Sequence, residues 1–386
     1  VLKLHLCFFR NTCQGNIKMI NQKSVWFMEG VSSQRDILTA VKKARAQGGY
    51  DFQVIASHRS NRPEILAEAD HAYLEPVEAE QLLSFMQAVI ARHNVVAVHA
   101  GKRGARFEAL RPAIESMGIK LTTGATATNT FELADDKARF SQHMNALGLP
   151  AVPSEVVKTA DEVSRAVERL ARSGQLPCIK PVKGIYGMGF WIMKTAASRM
   201  QGFNQPDSRI VHPHVFVSAL RMAEKEGEAL TDQIVMPYLA SPEHSVDMLV
   251  EKGRVIAAVS RAKTGSVQTL ENHGAAWSLA VACAESLQAD GLINVQTRNN
   301  EKGEPVLLEA NLRPSGGIGY TLHTGINLPG LFVLRQLGLL SPEETAAHLA
   351  DFVRVQVTPT HAVSPVPACT LCTLDNSPAT AEGTFS

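Results

Sequence analysis

Short apolar runs separated by helical patterns recur through the first third of the chain. Residues 24–29, 51–56, 72–74, 94–99 and 119–122 read as strands, and 94–99 is a continuous apolar run of the kind found in sheets buried on both faces. Helical spacing links Ile37, Ala40, Val41 and Ala44 up to the Gly48-Gly49 stop. A short helix over 63–69, one over 79–92 with Leu82, Leu83, Met86, Val89 and Ile90 on one face, and one over 107–117 complete the series. This alternation predicts an open, mostly parallel α/β sheet over 24–124. Residues 125–149 read as a helical linker, with Phe140, Met144 and Leu147 at helical spacing and Lys137 as an exposed helix lysine. Strands follow at 153–157, 177–181, 190–193 and 207–211, with an amphipathic helix over 161–173 and a Lys/Glu-rich one over 218–228. The apolar stretch 230–239 contains Pro237, which lacks a backbone donor and suggests a segment crossing between lobes. Strands at 248–251 and 254–260, a helix over 274–287, a hairpin over 291–311 and a helix over 328–337 finish the pattern.

The fold class is therefore α/β: an N-terminal open parallel α/β domain over 24–124, then a two-lobed α+β domain over 125–345 whose smaller lobe occupies about 150–235. Residues 1–23 lack periodicity and make a poor signal peptide, so they read as a disordered or non-native leader. Residues 346–386, rich in Pro, Thr, Ser and Ala toward the end, read as a tail, disordered or truncated.

Composition changes this picture little. The 386 residues are 45% hydrophobic and 19% charged, ordinary for a globular protein with two or three cores. A net charge of +1 gives no electrostatic reason to expect nucleic acid or an anionic membrane as partner. No apolar run reaches the roughly 18 residues of a membrane span. Six scattered cysteines do not form a disulfide framework, and Cys369-x-x-Cys372 has no second pair with which to bind zinc. A reducing cytoplasm is the expected setting.

The candidate chemistry gathers at the hairpin. Its two apolar runs, 292–296 and 306–310, flank a turn with Asn299, Asn300 and Gly303. Side chains two apart on a strand share a face, so Glu309 and Asn311 point the same way, and a register placing Gln296 opposite Glu309 adds a third oxygen donor. One carboxylate and two amides suit a hard cation such as Mg²⁺ that leaves room for phosphate oxygens. Arg313 and the loop Ser315-Gly316-Gly317 follow at once. An ordinary hairpin with a polar rim is the competing reading. Lys180 lies in the apolar run 178–181 and must find an acceptor there. The glycine loop 184–189 follows it without a Walker G-K-[ST]. Lys102 and Arg103, at a strand's carboxyl end, stand where open α/β sheets bind ligands; a solvated loop fits equally. Arg261 and Lys263 invite substrate contact or simple solvation, and His273 reads as structural or solvated.

The order of these parts resembles the ATP-grasp superfamily, above all the modules of the carbamoyl-phosphate synthase large subunit and the stand-alone ATP-grasp proteins of tellurium-resistance-type operons. The resemblance covers about 24–340 and rests on G-A-T-A…D-D-K-A-R-F (124–140), C-I-K-P…G-x-G (178–189), E-H-S-V-D (243–247) and N-V-Q…L-L-E-A-N-L-R-P-S-G-G (294–317). It implies a pre-ATP-grasp domain followed by an ATP-grasp domain, with ATP and Mg²⁺ (or Mn²⁺) as cofactors. Lys137 and Lys180 are then phosphate-binding cations, Gly187 and Gly189 part of a mobile loop, and Met236 and Tyr238 the adenine hinge. Glu243 takes the ribose, Gln296, Glu309 and Asn311 the metal. Arg313, Lys180 and Arg261 are the catalytic set. Met236 stands where a glutamate is common, and Gln296 where an acid is.

The activity implied is ligation of a carboxylate to an amine, on small molecules or peptides, through an acyl phosphate, and a homodimer is compatible with it. Phosphorylation of bicarbonate or carbamate is the alternative, set against the presence of one module and no internal repeat. A nucleotide-binding scaffold without turnover is the third reading.

Overall fold

The computed structural model describes residues 22–31, 33–184, 187–360 and 363–374. Of the leader expected over 1–23, residues 1–21 lie outside these, as do the residues past 374 and Ile185 and Tyr186 of the glycine loop, whereas the Lys23 carbonyl accepts from the Gln53 N–H.

The first unit is the expected doubly wound sheet. Strands β1 (Ser24–Phe27), β2 (Gln53–His58), β3 (His71–Leu74), β4 (Val95–His99) and β5 (Lys120–Thr122) lie in the order β3-β2-β1-β4-β5. Every pairing is parallel. The order reverses between β1 and β4, so their carboxyl ends frame the crevice in which such sheets take ligands. Helices α1 (Gln34–Gly48), α2 (Pro63–Leu66), α3 (Leu82–His93), α4 (Gly104–Ala109) and α5 (Arg111–Glu115) cover the sheet. The helix expected over 107–117 is thus two short ones, and it starts earlier, straight after a 3₁₀ turn at Gly101–Arg103. Pro112, near the start of α5, marks the restart.

A two-residue strand β6 (Gly124–Ala125) leads to α6 (Thr128–Asp135) and α7 (Lys137–Ala146). The expected single linker helix breaks at Asp136. Its carboxylate accepts from the backbone N–H of Ala138 and Arg139, capping α7 and ending α6.

The smaller lobe holds β7 (Glu155–Val157), α8 (Ala160–Arg172), β8 (Pro177–Pro181), β9 (Trp191–Met193), α9 (Gln201–Asn204), β10 (Ile210–Val211), α10 (Pro213–Glu226) and β11 (Gln233–Pro237). The strand order is β10-β9-β8-β11-β7. Helix α8 carries a full capping box between Thr159 and Glu162. Helix α10 begins five residues before the expected 218, with Pro213 in its first turn, where a missing N–H costs nothing. The segment with Pro237 is an inner strand rather than a crossing. The proline is tolerated because it ends β11, opposite Pro177 at the start of β8.

The large sheet is built from β12 (Ala240–Glu251), β13 (Arg254–Thr264), β14 (Val267–Glu271), β15 (Ala289–Asn299), β16 (Pro305–Asn311) and β17 (Val355–Val357), in the order β16-β15-β12-β13-β14-β17. Strands β12 and β13 run well beyond the expected 248–260, and β14 was not expected at all. Helix α11 (Ala275–Ser286) packs on one face, its Ala280, Cys283 and Ala284 against Val246, Met248, Ile293 and Val295. Helix α12 (Leu328–Gln336) packs beside α1, and one continuous core runs from Phe27 and Leu38 to Leu249, Leu292 and Phe332, uniting the first unit with the large sheet.

The stretch expected to be tail does more than that. Helix α13 (Pro342–Ala350) opens on a capping box between Ser341 and Glu344, and β17 pairs with β14. Further on, Leu371 bridges to Ala72 at the free edge of β3, and the Cys372 N–H donates to the Ala72 carbonyl at 2.7 Å. Arg92 holds the Thr373 carbonyl. A covered edge is one fewer unpaired ladder. Deleting residues 363–386 is expected to lower stability by about 1–3 kcal/mol, read as a lower urea midpoint; an unchanged midpoint would show that the return segment adds nothing.

Candidate active site

The hairpin takes the register considered from sequence, with Gln296 opposite Glu309, and it also sets Asn294 opposite Asn311. The same face continues across two more strands. Ser245 lies opposite both Gln296 and Arg261, Asp247 opposite Asn294, and Glu243 opposite both Arg298 and Lys263. Period-two alternation thus gathers three polar rows on one face, while Val246, Met248, Ile293, Val295 and Ala310 point into the core beneath α11.

This face and the smaller lobe enclose a cleft of about 470 Å³. Lys137, Lys180, Gly187, Met236, Tyr238, Glu243, Gln296, Glu309, Asn311 and Arg313 all line it. Gly189 sits between two lining residues, Met188 and Phe190, and with Gly187 it takes the left-handed conformation, at φ +71° and +63°. Arg261 does not reach the cleft.

One end is charged. Lys180 Nζ lies 4.0 Å from Glu309 Oε2, and the Asn311 amide donates to Glu309 Oε1 at 3.2 Å. Lys137 is buried rather than exposed: its ammonium donates to the carbonyls of Val182 (3.4 Å) and Gly184 (3.1 Å), at the root of the glycine loop. Burial lowers its pKa, Glu309 opposes that shift, and Lys180 adds to it. Arg313 closes this end with no carboxylate in salt-bridge reach among the described residues.

The other end is apolar, made by Phe190, Met236, Leu239, Leu308 and Cys178. Burial pushes the Cys178 thiol up to about 12, so it is neutral. The Tyr238 N–H is spent on the Leu176 carbonyl (2.7 Å). Between the ends, Lys263 donates to Glu243 Oε1 at 2.6 Å and Arg298 approaches Oε2 at 3.5 Å. Arg298 also stacks over Tyr238, 5.4 Å from its centroid, and donates to the Leu239 carbonyl. Burial raises the Glu243 pKa, but the two cations outweigh it and hold the carboxyl below the ordinary 4.5. Arg298 escaped the sequence reading, although it stands two residues from Gln296 on the same strand.

The fold has counterparts among known proteins. The sequence profile of a family described as ATP-grasp in the biosynthetic pathway with Ter operon matches residues 229–361. The arginine-specific carbamoyl phosphate synthase large chain of Geobacillus stearothermophilus is 28% identical over 271 residues, 69% of this chain and 24% of that one. The chain thus spans about a quarter of the length of the curated relatives it matches. Two solved structures share the architecture. Carboxyaminoimidazole ribonucleotide synthase from Aspergillus clavatus, complexed with ATP, superposes with a TM-score of 0.58 at 15% identity, over 85% of this chain and 80% of that one. An L-amino acid ligase from Bacillus licheniformis gives 0.55 at 15% identity, over 84% and 76%. The chain carries the ATP-grasp fold.

Within this ATP-grasp frame, Arg261 is a structural support behind the site rather than a group in it. It is 3% exposed. Its Nε donates to Asp247 Oδ2 (2.8 Å), Nη1 to Gln268 (2.9 Å), and Nη2 to Ser245 (2.9 Å) and Ser315 (2.8 Å). Asn294 bonds Ser245 and the other Asp247 oxygen. A Cβ at Gly317 would lie 2.5 Å from the guanidinium, so a side chain there would have to push Arg261 off its partners. The network ties four strands to the 315–317 loop beside Arg313.

Lys102 and Arg103 also have partners. Lys102 pairs with the buried Glu29 at 2.9 Å, and Arg103 with Glu29 (3.5 Å) and with Glu75. Burial lowers Arg103 to about 10 against the pull of Glu29. His273 is exposed. Among the described residues no helix is long and apolar enough to cross a membrane, and Cys178, Cys283, Cys369 and Cys372 are free thiols.

Removing Arg261 strands a fully buried carboxylate. Arg261→Met is expected to cost about 3–5 kcal/mol in chemical denaturation, with much of it recovered in the Arg261→Met/Asp247→Leu pair; a loss under about 1 kcal/mol would contradict the network. The paired Glu243 has a folded pKa below its unfolded one, so its contribution is complete above pH 4.5 and fades as acid titrates it below that. Lys263→Met should therefore flatten the dependence of stability on pH in that acid range, and an unchanged slope would rule the pairing out.

Proposed function

We propose that the chain is an ATP-dependent ligase that joins a carboxylate to an amine, on a small molecule or peptide, through an acyl phosphate. The observation that carries this reading is the meeting, in one cleft, of an apolar end and a cationic end built around Glu309, Asn311 and Gln296. The apolar end suits a nucleobase, with Met236 and Tyr238 at the hinge; Glu243 suits the ribose, and Lys137 and Lys180 suit the phosphates. Gly187 and Gly189 lie on the loop that would cover the phosphates.

The donor set fits Mg²⁺ or Mn²⁺: one carboxylate and two amides, with no thiolate or imidazole. The Asn311 amide bonds Glu309 through its nitrogen, and its carbonyl oxygen accepts no hydrogen bond among the described residues. A cation bound there would offset phosphate charge. Glu309, Asn311 and Gln296 would hold it.

The chemistry balances without an enzyme nucleophile. A carboxylate oxygen attacks the γ-phosphorus, the bond to the bridging oxygen breaks, and ADP leaves. An amine nitrogen then attacks the acyl carbon, phosphate departs with the C–O electron pair, and the nitrogen gives up a proton. The chain's part is to orient the reactants and neutralise charge, with Arg313 nearest the transferred group and Lys137 and Lys180 along the phosphates. Arg261 serves by positioning the 315–317 loop. The carbamoyl phosphate synthase relatives favour one second reading, phosphorylation of bicarbonate or carbamate at the same site.

The test is release of ADP and phosphate by the purified protein with Mg²⁺ and ATP, against pooled carboxylates and amines and, separately, bicarbonate. Turnover that depends on a carboxylate pool and falls about 100-fold or more in Glu309→Ala is the expected result. Turnover with bicarbonate alone would install the second reading. Nucleotide binding with no turnover under any condition would point to a scaffold, and failure to bind ATP would sink both.

A further inference from the structure

A second chamber of about 350 Å³ adjoins the nucleotide cleft and opens toward the first unit. The two share Lys137, Gly184, Glu309, Asn311 and Arg313, so they meet at the charged end. A water molecule occupies about 30 Å³ in the liquid, so the chamber has room for on the order of ten such groups. Bicarbonate would fill only a fraction of it.

Its cations are not all alike. Lys102 and Arg103 are held by Glu29 and Glu75, and Lys137 by backbone carbonyls. Arg106, from α4, and Arg313, from the loop after β16, line the chamber with no hydrogen-bond or carboxylate partner among the described residues. Of the two acids in the wall, Glu309 belongs to the metal-ligand set, and Asp135 is raised by burial despite Lys137 and Arg313 nearby. The chamber therefore presents two uncommitted guanidiniums, one from each unit. Only Arg313 also lines the nucleotide cleft.

We propose that this chamber binds the acceptor carboxylate in a molecule with two anionic groups, called a dianion below for its two groups rather than its net charge: the reacting carboxylate at Arg313, and a second anionic group, carboxylate or phosphate, at Arg106. The planar guanidinium fork matches both groups. This inference rests on the nucleotide reading above and narrows its substrate to a compact molecule with two anionic ends.

The test uses the full chain and equilibrium binding of three probes, succinate, 2-phosphoglycolate and propionate, with and without Mg²⁺ and a non-hydrolysable ATP analogue. At least one dianion is expected to bind about tenfold or more tighter than propionate, and which one does so separates a carboxylate from a phosphate as the second group. Arg106→Gln should bring that dianion down to the propionate level. Equal binding of all three, absence of binding by all three, or a dianion preference that survives Arg106→Gln would overturn the proposal. The analogue arm separates the two readings. Dianion preference without analogue binding would overturn the nucleotide reading alone, while analogue binding without dianion preference would overturn only this one. Arg106 is partly exposed, so its replacement leaves the core intact.

Discussion

Everything at the site depends on the register of β15 against β16. Side chains on a strand alternate between faces, so a slip of one residue would turn Glu309 and Asn311 into the core under α11 and bring Ala310 out. The apolar set Ile293, Val295, Leu307 and Ala310 opposes that slip, because every one of them would lose its burial at once. Register is therefore held by hydrophobic burial on one face, and the polar face inherits its precision. The irregularity just after Gln296 falls where the strand leaves the Gln296–Glu309 pair and begins to present Arg298 to Glu243.

The polar face carries a cost that the fold meets locally. Asp247 and Arg261 are both almost fully buried, and a charge in that position is expensive unless its hydrogen bonds are complete. Here the carboxylate takes bonds from Arg261 and Asn294, and the guanidinium reaches Ser245, Gln268 and Ser315 as well. A hydrophobic cluster of the same volume would hold the strands as well. It would not orient the 315–317 loop, because apolar contacts do not select one hydrogen-bonding arrangement of a glycine-rich turn.

Much of this was legible in the sequence, and what was not has particular causes. The first unit's strands follow from their apolar runs, and the shared face of Glu309 and Asn311 from alternation; the Gln296–Glu309 pairing is one register that alternation allows. Arg261 was misplaced because parity says which face a residue shares, not where along that face the cleft gives way to the core; Val259 and Leu270, beside it, already belong to the core. Lys137 read as solvated because two aspartates precede it, yet Asp136 is turned to cap α7 and the lysine is left to the glycine loop. Helix α13 carried a usable signal, Ser341-Pro342-x-Glu344, that the composition of the tail obscured. The Leu371–Ala72 bridge had none, since partners some three hundred positions apart leave no local trace.

The way charge is divided along the main cleft bears on what the site can hold. Midway, Glu243 is met by Lys263 and Arg298, so the acid offsets one of the two bases and the region combines directed hydrogen bonds with a modest positive charge. At the far end, Lys137, Lys180 and Arg313 face Glu309, the one carboxylate lining this end of the cleft among the described residues, leaving an excess of positive charge in a partly buried place where it is weakly screened. At the near end the side chains of Phe190, Met236, Leu239, Leu308 and Cys178 are uncharged. A ligand that is neutral and flat at one tip, polar in the middle and polyanionic at the other satisfies all three zones together. A uniformly anionic ligand would waste the apolar end, and an apolar one would leave the three cations without counter-charge. The gradient, more than any single residue, is what argues for a nucleotide.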